Sequence, residues 1–178
     1  MTTLQTHGIL LRLDWNSNNW TGKPNDADIA SINFKYVKDN NETFTYFNLN
    51  KDELLHNGYK YALAPQLISK TPLRDVKVCF FMSTKDNVDY IVGFVLRPDF
   101  GSRRSFDGFP KEILFNMRSE PDNFFPLQPK SINLISFLPS NKALGTQGFN
   151  YLTKNNCTDL FKEIYGNSLP SNVLKIIK

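Results

Sequence analysis

Val76-Lys77-Val78-Cys79-Phe80-Phe81-Met82-Ser83, then the polar Thr84-Lys85-Asp86-Asn87, then Val88-Asp89-Tyr90-Ile91-Val92-Gly93-Phe94-Val95-Leu96 is the stretch that decides the fold class of this chain. Two runs rich in β-branched and aromatic residues, separated by a short polar turn, predict a β-hairpin. In the first run Val76, Val78, Phe80 and Met82 alternate with Lys77, Cys79 and Phe81, so both faces are largely apolar. A strand that is apolar on both faces has to be covered on both sides, which places the hairpin in the middle of the structure.

Toward the N-terminus, Gly8 to Leu13 reads as a further strand, stopped by Asp14. Trp15 to Asp26 reads as a loop, its asparagines, Gly22 and Pro24 supplying turn chemistry. Alternation at Ile32, Phe34 and Tyr36, and again from Thr43 to Phe47, predicts two paired strands joined through Asp39-Asn40-Asn41. Lys51 to His56 is a candidate helical turn, entered through Asn50 and left through Asn57-Gly58. Tyr59 to Ala64 is extended, and Pro65 to Pro72 is a connection.

Beyond the hairpin, Pro98 to Pro110 is a long irregular loop of the kind that carries function. Strands are expected at Lys111 to Arg118 and Ser131 to Leu138, on either side of a Pro-rich connection from Glu120 to Pro129. A helix capped by Asn156 presents Leu160, Phe161, Ile164 and Tyr165 on one face and stops at Gly166. Pro170 opens a last short helix that ends at Lys178. The sum is an α+β chain, expected to form one domain over residues 1–178.

Composition narrows the function classes. Hydrophobic residues at 40% and charged residues at 21% are those of a folded chain, not a disordered one. No apolar run approaches the roughly 20 residues that cross a bilayer, and the first residues carry no leader pattern. The expectation is therefore a cytoplasmic protein with no membrane partner. Cys79 lies in an apolar run and reads as a reduced, buried side chain, so no disulfide with Cys157 is expected. His7 and His56 are the only histidines, and neither makes a zinc spacing with the cysteines. No metal and no cofactor is expected.

The same two histidines, with no nucleophile elbow, give no ground for triad chemistry, and the nine glycines form neither a phosphate loop nor a dinucleotide fingerprint. One enzymatic alternative stands on Asp75-Val76-Lys77, an acid and a lysine at a strand start as in metal-dependent nucleases. The broader expectation is a binding module that does no chemistry.

Aromatic residues at 13% supply the binding candidates. Trp15 and Trp20 lie in a polar loop, and Tyr59 and Tyr61 share one face of an extended segment. Such rings can stack a flat or cationic ligand. Arg97, Arg103, Arg104 and Lys111 surround the long loop and suit a phosphate backbone, with Asp99 and Asp107 diluting that charge. Asn116 has an amide that can read a base edge where its strand face lines the pocket. A net charge of +4 is compatible with such a partner. A protein-interaction module is the other alternative, and it predicts an exposed apolar patch at Phe100, Phe106 and Phe109.

The strand Val78-Cys79-Phe80-Phe81-Met82, followed by Asp89-Tyr90-Ile91-Val92-Gly93-Phe94-Val95 with its glycine and by a C-terminal helix, resembles the PUA-like superfamily that includes the YTH and EVE domains. The resemblance covers roughly Asp75 to Gly166. It implies a small curved mixed β-barrel with a few flanking helices, in which an aromatic cage receives a flipped, often methylated base of DNA or RNA. It also implies a bacterial defence or restriction setting, with a nuclease as fused or neighbouring partner. Those readers commonly take cage tryptophans from later segments, whereas no tryptophan follows Trp20 here, so Trp15, Trp20, Tyr59 and Tyr61 stand in that role.

Overall fold

The structure is a computed structural model and describes residues 6–32, 43–64, 67, 73, 75–138 and 148–178. Its centre is the predicted hairpin, β4 (Val78–Lys85) and β5 (Val88–Leu96). They belong to a five-stranded mixed sheet in the order β7-β5-β4-β1-β8, with β1 at Gly8–Arg12, β7 at Phe124–Ser131 and β8 at Phe149–Leu152. β1 runs parallel to β4, and the other pairings are antiparallel. A smaller sheet follows the order β2-β3-β6, made of Leu55–His56, Tyr59–Ala62 and Met117–Ser119. The described strands thus form two open sheets, and no closed barrel is found among them.

The two apolar faces of β4 explain this layering. Phe80 and Met82 face a cluster closed by α2 (Lys154–Tyr165) and α3 (Ser171–Ile177), through Leu160, Phe161, Val173 and Ile176. Cys79 and Phe81 face the opposite cluster, which contains Trp20, Leu49, Ala62 and Met117. Each large side chain so covered contributes about 1.5–3 kcal/mol. Both thiols are buried and free, and burial pushes Cys79 upward and Cys157 up to about 12. α2 lies so close to β1 that a Cβ on Gly8 would meet the Cys157 Sγ at 2.5 Å.

Several expected elements differ. Thr45–Phe47 is a 3-10 turn and not a strand, and Lys51 to His56 forms turns that end in β2. The strand expected at Phe34 and Tyr36, with its turn at 39–41, lies outside the described residues. Asp26–Ser31 forms a helix, α1, because Asn25 caps it by accepting from the Asp28 N–H. In the segment from Lys111 to Arg118 only Met117 and Arg118 belong to a strand. Ser131 to Leu138 contains a 3-10 helix at Leu134–Phe137, while the presumed connection before it holds β7. Proline is tolerated there because β7 is the edge of the described sheet, pairing among the described strands with β5 alone. The cap of α2 is Thr153, in a reciprocal capping box with Asn156, which sits three residues inside. Among the described residues no helix is long and apolar enough to cross a membrane.

Gly93 sits at an irregularity of β5, where Phe81 pairs with Gly93 and Met82 with Ile91, so that Val92 is left over as a bulge. A Cβ there would meet Leu49 methyls at 2.5 and 2.9 Å and the Phe125 carbonyl oxygen at 2.9 Å. Gly93→Ala is expected to cost about 1–3 kcal/mol by overpacking, read as a lower denaturation midpoint at unchanged slope.

Lys60 alternates with Tyr59 and Tyr61 and so points inward. Its side chain is 0% exposed, its Nζ donates to the carbonyl oxygens of Phe47 (3.0 Å), Glu53 (3.3 Å) and Tyr61 (3.0 Å), and the Phe124 ring of β7 lies 5.2 Å from it. Burial pushes the amine down to about 7, against the pull of the Glu53 charge. Only the charged form has a proton for each carbonyl. An unfolded lysine titrates near 10.4, so above about pH 7 the folded chain holds fewer protons than the unfolded one, and this group's contribution to stability rises with pH. Unfolding free energies of the wild type and Lys60→Met, measured between about pH 7 and 8.5, should diverge with the wild type gaining. Both proteins carry the same two thiols, whose titration cancels in the difference.

Candidate functional site

The loop after β1 is built by its asparagines. Asn16 accepts from the Asn18 N–H and donates to the Gly22 carbonyl, Asn18 donates to the Lys23 carbonyl, and Asn25 donates to the Ser17 hydroxyl. Buried Asp28 accepts both the N–H and the hydroxyl of Ser17. These side chains satisfy a backbone that makes few regular bonds. Trp20 is 0% exposed and adopts a φ of 58°, a left-handed conformation that costs on the order of 1–2 kcal/mol. Core burial and a bond from its Nε1 to the Asp14 carbonyl oxygen at 3.1 Å hold it there.

Trp15 is only half-buried. Trp20 meets it edge-on at 5.7 Å, Tyr90 of β5 lies at 5.4 Å, and the Lys85 Nζ stands over its ring at 5.0 Å. The Trp15 Nε1 is buried and has no hydrogen-bond acceptor among the described residues. Beside it, burial raises the Asp14 carboxyl above its ordinary value, although the Thr43 and Thr45 hydroxyls donate to it at 2.5 and 3.3 Å. Trp15, Trp20, Tyr90 and Lys85 thus form an aromatic corner at the far end of the central hairpin.

Tyr59 and Tyr61 lie elsewhere, on the outer face of the small sheet. Tyr59 is 37% exposed, and the Arg118 guanidinium stacks over its ring at 4.4 Å. Arg118 Nε bonds the Asp99 carboxylate at 2.8 Å, and its Nη1 donates to the Tyr61 hydroxyl at 3.4 Å. Burial alone would raise the Asp99 carboxyl, but the Gly101 N–H and Arg118 hold it below its ordinary value. Tyr61 is buried against Phe106, and the Arg104 guanidinium lies over Phe106 at 5.7 Å. Arg97 is exposed beside this group, its carbonyl accepting from Ser119 of β6. Arg103 and Lys111 are exposed on the same loop.

The expected site is therefore split. The Arg97 N–H donates to the Lys77 carbonyl oxygen at one end of β4, and Trp15 packs on Lys85 at the other. Eight residues of strand lie between, which is roughly 25 Å at the rise of a strand. Asn116 belongs to neither group: it is 3% exposed, and its amide both donates to and accepts from the backbone of Ala64. Phe100, Phe106 and Phe109 are half-buried against the apolar clusters and do not form an exposed patch. Asp75 and Lys77 are both exposed, and among the described residues no three His, Cys, Asp or Glu side chains are grouped to hold a metal. Sequence reasoning missed Arg118, Lys85 and Tyr90, because only pairing across strands places them beside the tyrosines and Trp15.

No family model matches the chain, and neither does any curated protein or solved structure.

The two tryptophans should respond differently to the same change. Trp20→Phe loses a buried hydrogen bond and leaves a cavity, at an expected cost of about 2–4 kcal/mol. Trp15→Phe removes a donor that has no acceptor among the described residues and should cost less than about 1 kcal/mol. Equilibrium denaturation of both variants checks the contrast.

Proposed function

We propose that this chain is a non-catalytic nucleic-acid-binding domain that takes a flipped, modified base at the Trp15 corner. The observation that carries the reading is the half-open Trp15 ring, walled by Trp20 and Tyr90, with a cation already lodged on its face. An electron-rich indole that holds the Lys85 ammonium offers the same attraction to a base whose ring-nitrogen methylation leaves it positively charged. Entry of that base displaces Lys85 toward solvent, where it can meet the adjoining phosphate. Trp20 is the fixed wall and Trp15 the stacking surface.

The PUA-like resemblance supports the same reading, since a curved barrel with an aromatic cage serves that purpose in those families. The barrel itself belongs to the proposal, as do the defence setting and a nuclease partner. The positively charged face around Arg97 and Arg103 suits the phosphate backbone, but its distance from the corner means it meets a different part of the strand.

Titration of plain and methylated oligonucleotides at two salt concentrations tests the proposal. Methylated strands should bind about tenfold more tightly, binding should weaken with salt, and Trp15→Phe should reduce the preference. Absence of any salt-sensitive binding would end the nucleic-acid reading, and equal affinity for plain and methylated strands would end the modified-base reading.

A further inference from the structure

The Tyr59 and Arg118 pair lies outside the corner and has a construction of its own. A surface arginine ordinarily samples many rotamers, and an exposed ion pair contributes little. Arg118 is held from three directions. Asp99 fixes Nε, the Tyr61 hydroxyl takes Nη1, and Tyr59 supports the flat face from below. Asp99 is itself fixed, since it exchanges both backbone bonds with Arg118 and accepts from the Gly101 N–H and the Ser102 hydroxyl. The outcome is a planar cation locked in orientation and partly open, with a side-chain exposure of 29%.

Such a plane is matched by an aromatic base lying flat. Arg stacks on aromatic faces while its edge stays hydrogen-bonded, which a lysine cannot do. Arg97, two residues before Asp99 and bonded through its carbonyl to Ser119, is exposed and without a carboxylate partner among the described residues, with exposed Lys77 joined to it through the backbone. Two exposed cations on backbone connected to a stacking surface fit a phosphate backbone that carries unstacked bases, whereas a duplex keeps its base faces covered.

We propose that the Tyr59–Arg118 platform is a second site that stacks an unpaired base of a single strand, with Arg97 and Lys77 on the adjoining phosphates. The proposal rests on the nucleic-acid reading above but not on the Trp15 corner. It makes the chain prefer single-stranded over duplex nucleic acid at a place where modification is not read.

Fluorescence anisotropy with a labelled, unmodified single strand and with the same sequence as a duplex tests it. The single strand should bind at least tenfold more tightly. Tyr59→Ala and Arg118→Lys should each weaken it by about 5- to 50-fold at unchanged salt dependence, and Tyr59→Phe should restore it. Arg97→Ala should weaken binding and lower the salt slope by about one phosphate contact. Tyr59 is at the surface, so its variants report on binding even if Arg118→Lys disturbs the fold. Duplex affinity equal to that of the single strand, or wild-type binding by Tyr59→Ala, overturns the platform, as does a strand that does not bind at all. Single-strand binding that survives while the methyl preference is absent sinks the corner alone.

Discussion

The constraint from which the architecture follows is that β4 is apolar on both sides. Phe80 and Met82 need one cover and Cys79 and Phe81 another, and one layer of helices cannot provide both. α2 and α3 close the first side. The small sheet, Leu49 and Trp20 close the second, so even the polar loop after β1 is drawn into the core by its tryptophan. With both faces of the large sheet covered, Trp15 and Tyr59 keep their partial exposure near opposite ends of the hairpin.

Those ends have different chemistry. At one, a cation sits on an indole whose N–H has no acceptor among the described residues, beside a carboxyl that burial moves toward its neutral form. At the other, an arginine is locked by an acid and two tyrosines in a surface rich in further cations. The first arrangement sets a half-buried indole against two other rings, and the second stacks a fixed guanidinium on an exposed ring.

The central hairpin was legible from the sequence because its signal is local: two alternating runs and a polar turn. The C-terminal helices were legible for the same reason, although Thr153 and not Asn156 proved to be the cap. The smaller sheet was not, since β2 and β6 are two and three residues long and gain their definition from pairing with β3. β7 was hidden by Pro126 and Pro129, which mark an edge strand as readily as a loop. Among the binding candidates, sequence alone could not tell Trp20 and Tyr61, which are buried, from Trp15 and Tyr59, which remain partly open. Asn116 looked available and is occupied by Ala64, a partner far away in the chain.

The placement of β1 between β4 and β8 has a consequence for the order of assembly. Gly8 pairs with Val78 on one side and with Leu152 on the other, both far away along the chain. The second edge of β1 is therefore satisfied only by chain that follows the hairpin, while β4 and β5 can pair through contacts close in sequence. Such long-range closure slows folding and leaves one edge of β1 unpaired until β8 joins it.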